Sequence, residues 1–157
     1  VRHPLDILAS FITLFHKDRT YNFIDRAMTE QKIPITDDNR CHYMMNPGGI
    51  VWESMNALAT AFRQKETQYI HFIQYDDLVS NPRQVMLNLH GFLRLDSFNY
   101  DFDNVIAKDR EKDAEVYGLP TMHEVRKSIN KISKPYQEVL STDVINKYIN
   151  YDFWNQQ

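Results

Sequence analysis

Apolar residues recur at helical spacing over most of the chain, and the breaks between the runs divide it into elements. Val1-Arg2-His3-Pro4-Leu5 reads as the last residues of a buried strand, a tight turn and a helix start. Proline suits a first helical position, where the missing N–H would have no partner in any case. Asp6 falls in the first turn, where the helix dipole favours negative charge. Ile7, Leu8, Phe11, Ile12 and Phe15 then mark a core-facing stripe. A polar break follows at Lys17-Asp18-Arg19-Thr20. Helical spacing resumes over residues 21–31, with Phe23, Ile24, Ala27 and Met28 on one side, and ends at Pro34. Thr36 to Asn39 offer caps for a short helix over 40–45, and Asn46-Pro47-Gly48-Gly49 is a turn. Residues 50–65 carry a stripe of Ile50, Val51, Met55, Leu58, Ala59 and Phe62, with Trp52 at its edge.

The pattern changes at residues 68–75, Gln-Tyr-Ile-His-Phe-Ile-Gln-Tyr, which are apolar or aromatic on both faces. That suits a parallel strand covered by helices on each side, with His71 as a hydrogen-bonded core residue. Ser80 or Asn81 then caps a helix that has Pro82 at its first position and Val85, Met86, Leu89, Phe92 and Leu93 as its stripe. From Asp96 the periodicity loosens, and residues 108–115 alternate in charge as a solvated stretch does. Ser141, Thr142 and Asp143 cap a last helix over 144–150, and Tyr151, Phe153 and Trp154 supply an aromatic C-terminal anchor. The elements together predict an α/β fold, mostly helical with a small parallel sheet.

Composition narrows the function classes. A chain of 157 residues, 43% hydrophobic and 25% charged, is one ordinary globular domain. No run approaches the roughly 18 apolar residues of a membrane span, so no membrane partner is expected. The single cysteine, Cys41, makes no internal disulfide, and a reducing cytoplasm is the default compartment. A formal net charge of −3 argues against nucleic-acid binding by bulk electrostatics. Any anion site has to be local.

Two places offer one. Arg2 sits at a strand end, and Ser10 projects about 130° from the centre of the helix stripe, at about 100° per residue. Both can reach one point outside the strand's carboxyl end, where open α/β sheets bind ligands. An Arg and a hydroxyl aimed there fit a phosphate or sulfate. Between Val125 and Gln137 every charged side chain is basic, namely Arg126, Lys127, Lys131 and Lys134. That reversal of sign in an acidic protein marks a second anion contact. Other candidates are weaker. Cys41 and His42 have no partners at zinc-site spacing. Asp101-Phe102-Asp103 has the form of a metal-binding D-x-D motif but reads as a solvated loop, and no metal is expected.

Arg-x-Pro-x-x-x-x-x-Ser after a short apolar strand resembles the 3′-phosphate-binding segment of sulfotransferases that use 3′-phosphoadenosine 5′-phosphosulfate (PAPS) as donor, and Arg2 and Ser10 match it in type and spacing. Tyr75-Asp76-Asp77-Leu78, followed by Asn81-Pro82 and a helix ending in Phe92-Leu93, is similar to a second segment of the family. There a strand-end tyrosine lies close to the donor's adenine. Gly118-Leu119-Pro120 through His123-Glu124-Val125-Arg126-Lys127 resembles the basic lid of bacterial and phage-like members, with Ser128 where the family often has Gly.

The resemblance implies a partial P-loop-containing nucleoside triphosphate hydrolase-like fold and sulfuryl transfer from PAPS, without a metal, to a hydroxyl or amine of a small-molecule or carbohydrate acceptor. It implies donor contacts at Arg2, Ser10, Tyr75, Arg126 and Lys127. The four glycines, Gly48, Gly49, Gly91 and Gly118, form no Gly-x-x-x-x-Gly-Lys loop. The family's phosphate loop and catalytic base both lie upstream of the Arg-and-Ser segment. The chain is therefore expected to be the C-terminal part of a larger domain, with its catalytic residues unassigned; His3, His16 and His123 are the histidines open to that role. Such a part is expected to bind donor without turnover and to self-associate through its uncovered sheet flank. The alternatives are a fragment of a phosphate-loop kinase and a non-catalytic helical module whose basic stretch meets an acidic partner.

Overall fold

The computed structural model describes residues 1–108 and 112–151; the expected anchor residues Phe153 and Trp154, and the middle of the charged run over 108–115, lie outside the described residues. Helix boundaries follow the caps that the sequence carries. Helix α1 spans Pro4–Asp18, and its cap is His3, whose Nδ1 accepts from the Leu5 amide at 3.2 Å. It runs two residues into the polar break that starts at Lys17 and ends where Arg19 turns left-handed, at φ 47°. Helix α2, Phe23–Glu30, starts at Asn22, whose buried Oδ1 accepts from the Ile24 and Asp25 amides at 3.0 Å each. Helix α3, Asp37–Met45, takes Thr36 as cap. Helix α4, Ile50–Arg63, follows Gly49, where any Cβ would collide with the Tyr43 and Met44 carbonyl oxygens, so only glycine makes this corner.

Helices α5, Tyr75–Ser80, and α6, Pro82–Leu93, are separated by Asn81, which caps the second. A single turn, α7, spans Asp113–Val116, and α8, Thr142–Tyr148, starts at the Ser141 cap. Short 3-10 turns occupy Thr67–Tyr69 and Tyr136–Glu138.

Helix α1 is the hub. It packs on α3, α4, α8 and the turn at 136–138, while α2 and α8 also cover α3. Leu5, Leu8 and Ile12 of α1, Met28 of α2, Met44 of α3 and Val144 of α8 are fully buried together with Leu119. The buried face of α1 differs from the predicted stripe. Leu5, Ala9 and Ile12 turn inward, while Ile7 and Phe11 are only half-buried. The face is thus rotated by about 60°, at about 100° per residue. The helix is apolar on two sides, and only one of them meets the core.

The predicted α/β class is overturned, because no strand and no sheet form among the described residues. The stretch read as a strand divides instead. Thr67–Tyr69 winds into a 3-10 turn, residues 70–74 run extended, and Tyr75 begins helix α5. A strand needs a ladder. Among the described residues the extended segment finds a distant backbone partner only at Val1, whose amino group donates to the Ile73 carbonyl and whose own carbonyl accepts from the Tyr75 amide at 2.9 Å. Two hydrogen bonds at one residue hold the chain in place without making a sheet. The P-loop-like fold therefore does not describe this structure.

Residues 82–106 form a satellite beside the core. His90 bridges the Asp96 carbonyl (2.6 Å) and the Tyr100 hydroxyl (2.7 Å), and Phe98, Tyr100 and Phe102 pack ring to ring. No residue of α6 is buried, and Leu87, Phe92 and Leu93 of that helix are exposed. The apolar stripe of α6, expected to meet the core, is half-buried at Val85, Met86 and Leu89 and exposed at its Phe92-Leu93 end. Trp52 packs against the edge of the core. Among the described residues no helix is long and apolar enough to cross a membrane.

One buried contact between α3 and α8 carries a pH dependence. The Tyr148 hydroxyl meets His42 Nδ1 at 2.9 Å. Burial pushes the phenol up to about 12, so it stays protonated and donates. Burial, with Lys147 nearby, holds His42 below its ordinary value of 6.5. A depressed histidine stabilises the fold in its neutral form. That contribution is present above the unfolded value and is lost as pH falls through the lower folded one. Below pH 6.5, the melting temperature of the wild type is expected to fall more steeply with acid than that of His42→Gln. Parallel profiles in thermal melts would remove His42 as the cause.

Candidate functional site

A cleft of about 340 Å³ opens between α1 and the irregular arm over residues 119–135. Ser10, Thr13, Leu14 and Lys17 of α1 form one wall; Glu124, Arg126, Ser133 and Lys134 of the arm form the other; Arg2 and Tyr75 close one end. Its size falls within the usual range of small-molecule sites, roughly 300–1,000 Å³.

Each wall is placed by local physics. Ser10, Thr13 and Lys17 follow i, i+3, i+7 and so share the face of α1 opposite the core. Arg2 is fixed from behind by the Tyr75 amide bond to the Val1 carbonyl. Its guanidinium carbon lies 4.4 Å from the centroid of the Tyr75 ring, within cation–π range. That stack presents a planar, permanently charged fork to the cleft.

The arm lacks helix and strand over residues 119–135 apart from turns, yet it is tied down at several points. Gly118, at φ 66° and where a Cβ would collide with the Tyr21 carbonyl oxygen, lets the chain turn back over α1. Thr121 donates through its amide (3.0 Å) and hydroxyl (2.8 Å) to the two oxygens of Asp18. His123 donates through its amide (2.7 Å) and Nδ1 (2.8 Å) to the two oxygens of the nearly buried Asp113. The Nδ1 bond, and after it the amide bond, holds the Asp113 carboxyl below the usual carboxylate range. Lys17 pairs with Glu124 at 3.0 Å, and Lys131 with Asp76 at 2.7 Å. The hydrogen bond and charge of Asp76 raise Lys131 above its ordinary value, so it stays charged.

Of the five residues expected to contact a donor, four line this cleft: Arg2, Ser10, Tyr75 and Arg126. Lys127 does not. Its side chain is exposed on the outside of the arm, and its carbonyl accepts from the Val105 amide at 2.7 Å. The chain bends at Lys127 and Ser128, so Arg126 reaches the cleft wall and Lys127 does not. Tyr75 stands at a helix start rather than a strand end and lies against Arg2.

Lys17, Glu124 and Ser133 are not among the expected contacts, and Lys134 is expected only as part of the basic stretch over 125–137. The signal for Lys17 was its position seven residues after Ser10, two helical turns along the same face. Lys134 carries the signal of the basic stretch, whereas Glu124 and Ser133 have none, because an irregular segment has no period to read.

The three histidines open to a catalytic role are placed as follows. His3 caps α1 through Nδ1, which leaves Nε2 to donate to the Ile149 carbonyl at 3.3 Å. His16 pairs with Asp37 at 2.8 Å on the far side of α1. His123 lines a second cleft of about 190 Å³ with Arg2, Ser10, Ile7 and Phe11. Among the described residues no group of three or more His, Cys, Asp or Glu side chains stands close enough to hold a metal ion.

No family model matches the chain, and neither the curated proteins nor the solved structures contain a significant match to it.

Proposed function

We propose that the cleft binds a phosphorylated nucleoside, and that the chain carries the 3′-phosphate side of the donor site of a PAPS-dependent sulfotransferase. The observation that carries this reading is the convergence of Arg2, Ser10, Tyr75 and Arg126 on one cleft. Arg2 and Arg126 are far apart in sequence, yet both line the one cleft. Lys17 and Lys134 add positive charge in a protein whose formal net charge is −3. A guanidinium fork with a hydroxyl beside it is the pairing that grips a phosphate monoester.

In the proposed reaction the acceptor oxygen bonds to sulfur as the bond from sulfur to the 5′-phosphate oxygen breaks. The acceptor proton goes to a base, and adenosine 3′,5′-bisphosphate leaves with the electron pair. The part taken by these residues is to hold the donor by its 3′-phosphate, so that binding energy positions the distant reacting group. No residue of this chain is assigned as the base. The arm, closing over the ligand, would keep water from the phosphate contacts.

The test is titration calorimetry of the folded chain with adenosine 3′,5′-bisphosphate and with adenosine 5′-monophosphate. The bisphosphate is expected to bind below about 1 mM, and at least tenfold more tightly than the monophosphate. No binding of the bisphosphate at that concentration, or equal binding of the two, overturns the reading.

A further inference from the structure

Four cationic side chains line the cleft, Arg2, Lys17, Arg126 and Lys134, and among the described residues a single carboxylate does, that of Glu124. A site built only to hold a multiply charged anion gains from each of the four cations and loses from the carboxylate. Glu124 is also held in place. Two residues nearby on the arm are anchored, Thr121 to Asp18 and His123 to Asp113, and the Glu124 amide donates to the Thr121 carbonyl at 3.3 Å. Lys17 then draws the side chain toward α1 at 3.0 Å. Both partners of that pair are about half exposed, so water screens it and the carboxylate keeps much of its charge toward a ligand.

We propose that Glu124 sets the ligand class of the cleft. Its carboxylate takes a hydrogen bond from a hydroxyl or amino group of a phosphorylated nucleoside or sugar, and its charge rejects polyphosphate. An ionised carboxylate accepts hydrogen bonds and donates none. It can be satisfied only by a ligand that brings a donor into the same space as its phosphate. Ribose hydroxyls and a base amino group do so, whereas pyrophosphate at neutral pH offers almost only acceptors. The proposal rests on the reading of the cleft as an anion site and narrows it to one chemical class.

The experiment compares wild type and Glu124→Gln by calorimetry, with adenosine 3′,5′-bisphosphate and inorganic pyrophosphate as probes. Circular dichroism and urea midpoints check that the half-exposed substitution leaves the fold intact. Wild type is expected to prefer the bisphosphate. In Glu124→Gln that preference should fall by about tenfold, because pyrophosphate gains from the lost repulsion while the nucleotide loses a charge-assisted bond. If both probes bind and their ratio is unchanged by the substitution, Glu124 is only the partner of Lys17, and the proposal fails while the anion site stands. If neither probe binds wild type, the anion site itself fails and the proposal with it.

Discussion

Asp25→Ala is expected to lower the stability of the fold by about 3–5 kcal/mol. Asp25 lies on α2 with its side chain 5% exposed, and both of its oxygens face Arg40 of α3. Arg40 Nε and Nη2 each donate to one oxygen at 2.7 Å, a bidentate fork, and Asn22 Nδ2 adds a bond at 2.9 Å. The third arm of the guanidinium reaches Asp37 at 2.7 Å. Hydrogen bonding to Asp25 is the main reason Arg40 sits above even the ordinary arginine value. An arginine is protonated at any working pH, so the guanidinium keeps its charge when Asp25 is removed. It stays as a largely buried charge with half of its partners gone.

Replacing both partners with apolar groups, Asp25→Leu together with Arg40→Met, removes the orphaned charge and should restore most of the loss. Urea unfolding at unchanged m-value reads both effects. A single variant that loses less than about 1 kcal/mol would show the pair to be a surface-like contact. The pair matters to the site because α1 rests on α3, and the cleft face of α1 is aimed by the packing of its other side.

Arg2→Ala is expected to weaken adenosine 3′,5′-bisphosphate about 10–100-fold, the loss of one charge-assisted fork to phosphate. Arg2→Lys keeps the charge and should recover only part of the affinity, since an ammonium can neither grip bidentately nor lie flat on the Tyr75 ring in the same way. Tyr75→Leu removes the ring that seats the guanidinium and should weaken binding by less than Arg2→Ala, with Tyr75→Phe close to wild type. Calorimetry on the four variants, with unfolding midpoints as control, separates the roles. If Arg2→Ala binds as wild type does, the guanidinium is not the phosphate ligand, and the functional reading loses its first contact.

How far sequence reaches is clearest in the helices. The predicted caps Thr36, Asn81 and Ser141 all accept an amide hydrogen bond at a helix start. Capping is local chemistry between residues two or three apart, so sequence carries it. The sheet was misread for the complementary reason. Residues 68–75 have the composition of a buried strand, but a ladder needs a neighbour, and among the described residues the backbone of the extended part pairs at a distance only with Val1. The same limit explains α6, whose apolar stripe is present but only half-buried, with no residue of the helix fully covered.

The cleft divides along the same line. Arg2, Pro4 and Ser10 belong to one continuous segment, so their spacing alone places the arginine and the hydroxyl at the start of one helix and on its polar face. Tertiary structure decided everything that depends on the arm. The Thr121–Asp18 and His123–Asp113 bonds, with the turn at Gly118, set which of its side chains face inward. They turn Arg126 in and leave Lys127 out, and they add Glu124 and Lys134 to a wall begun by α1. An irregular segment has no hydrophobic period, and its register over the core is fixed by a few specific hydrogen bonds to distant residues, which no local pattern encodes.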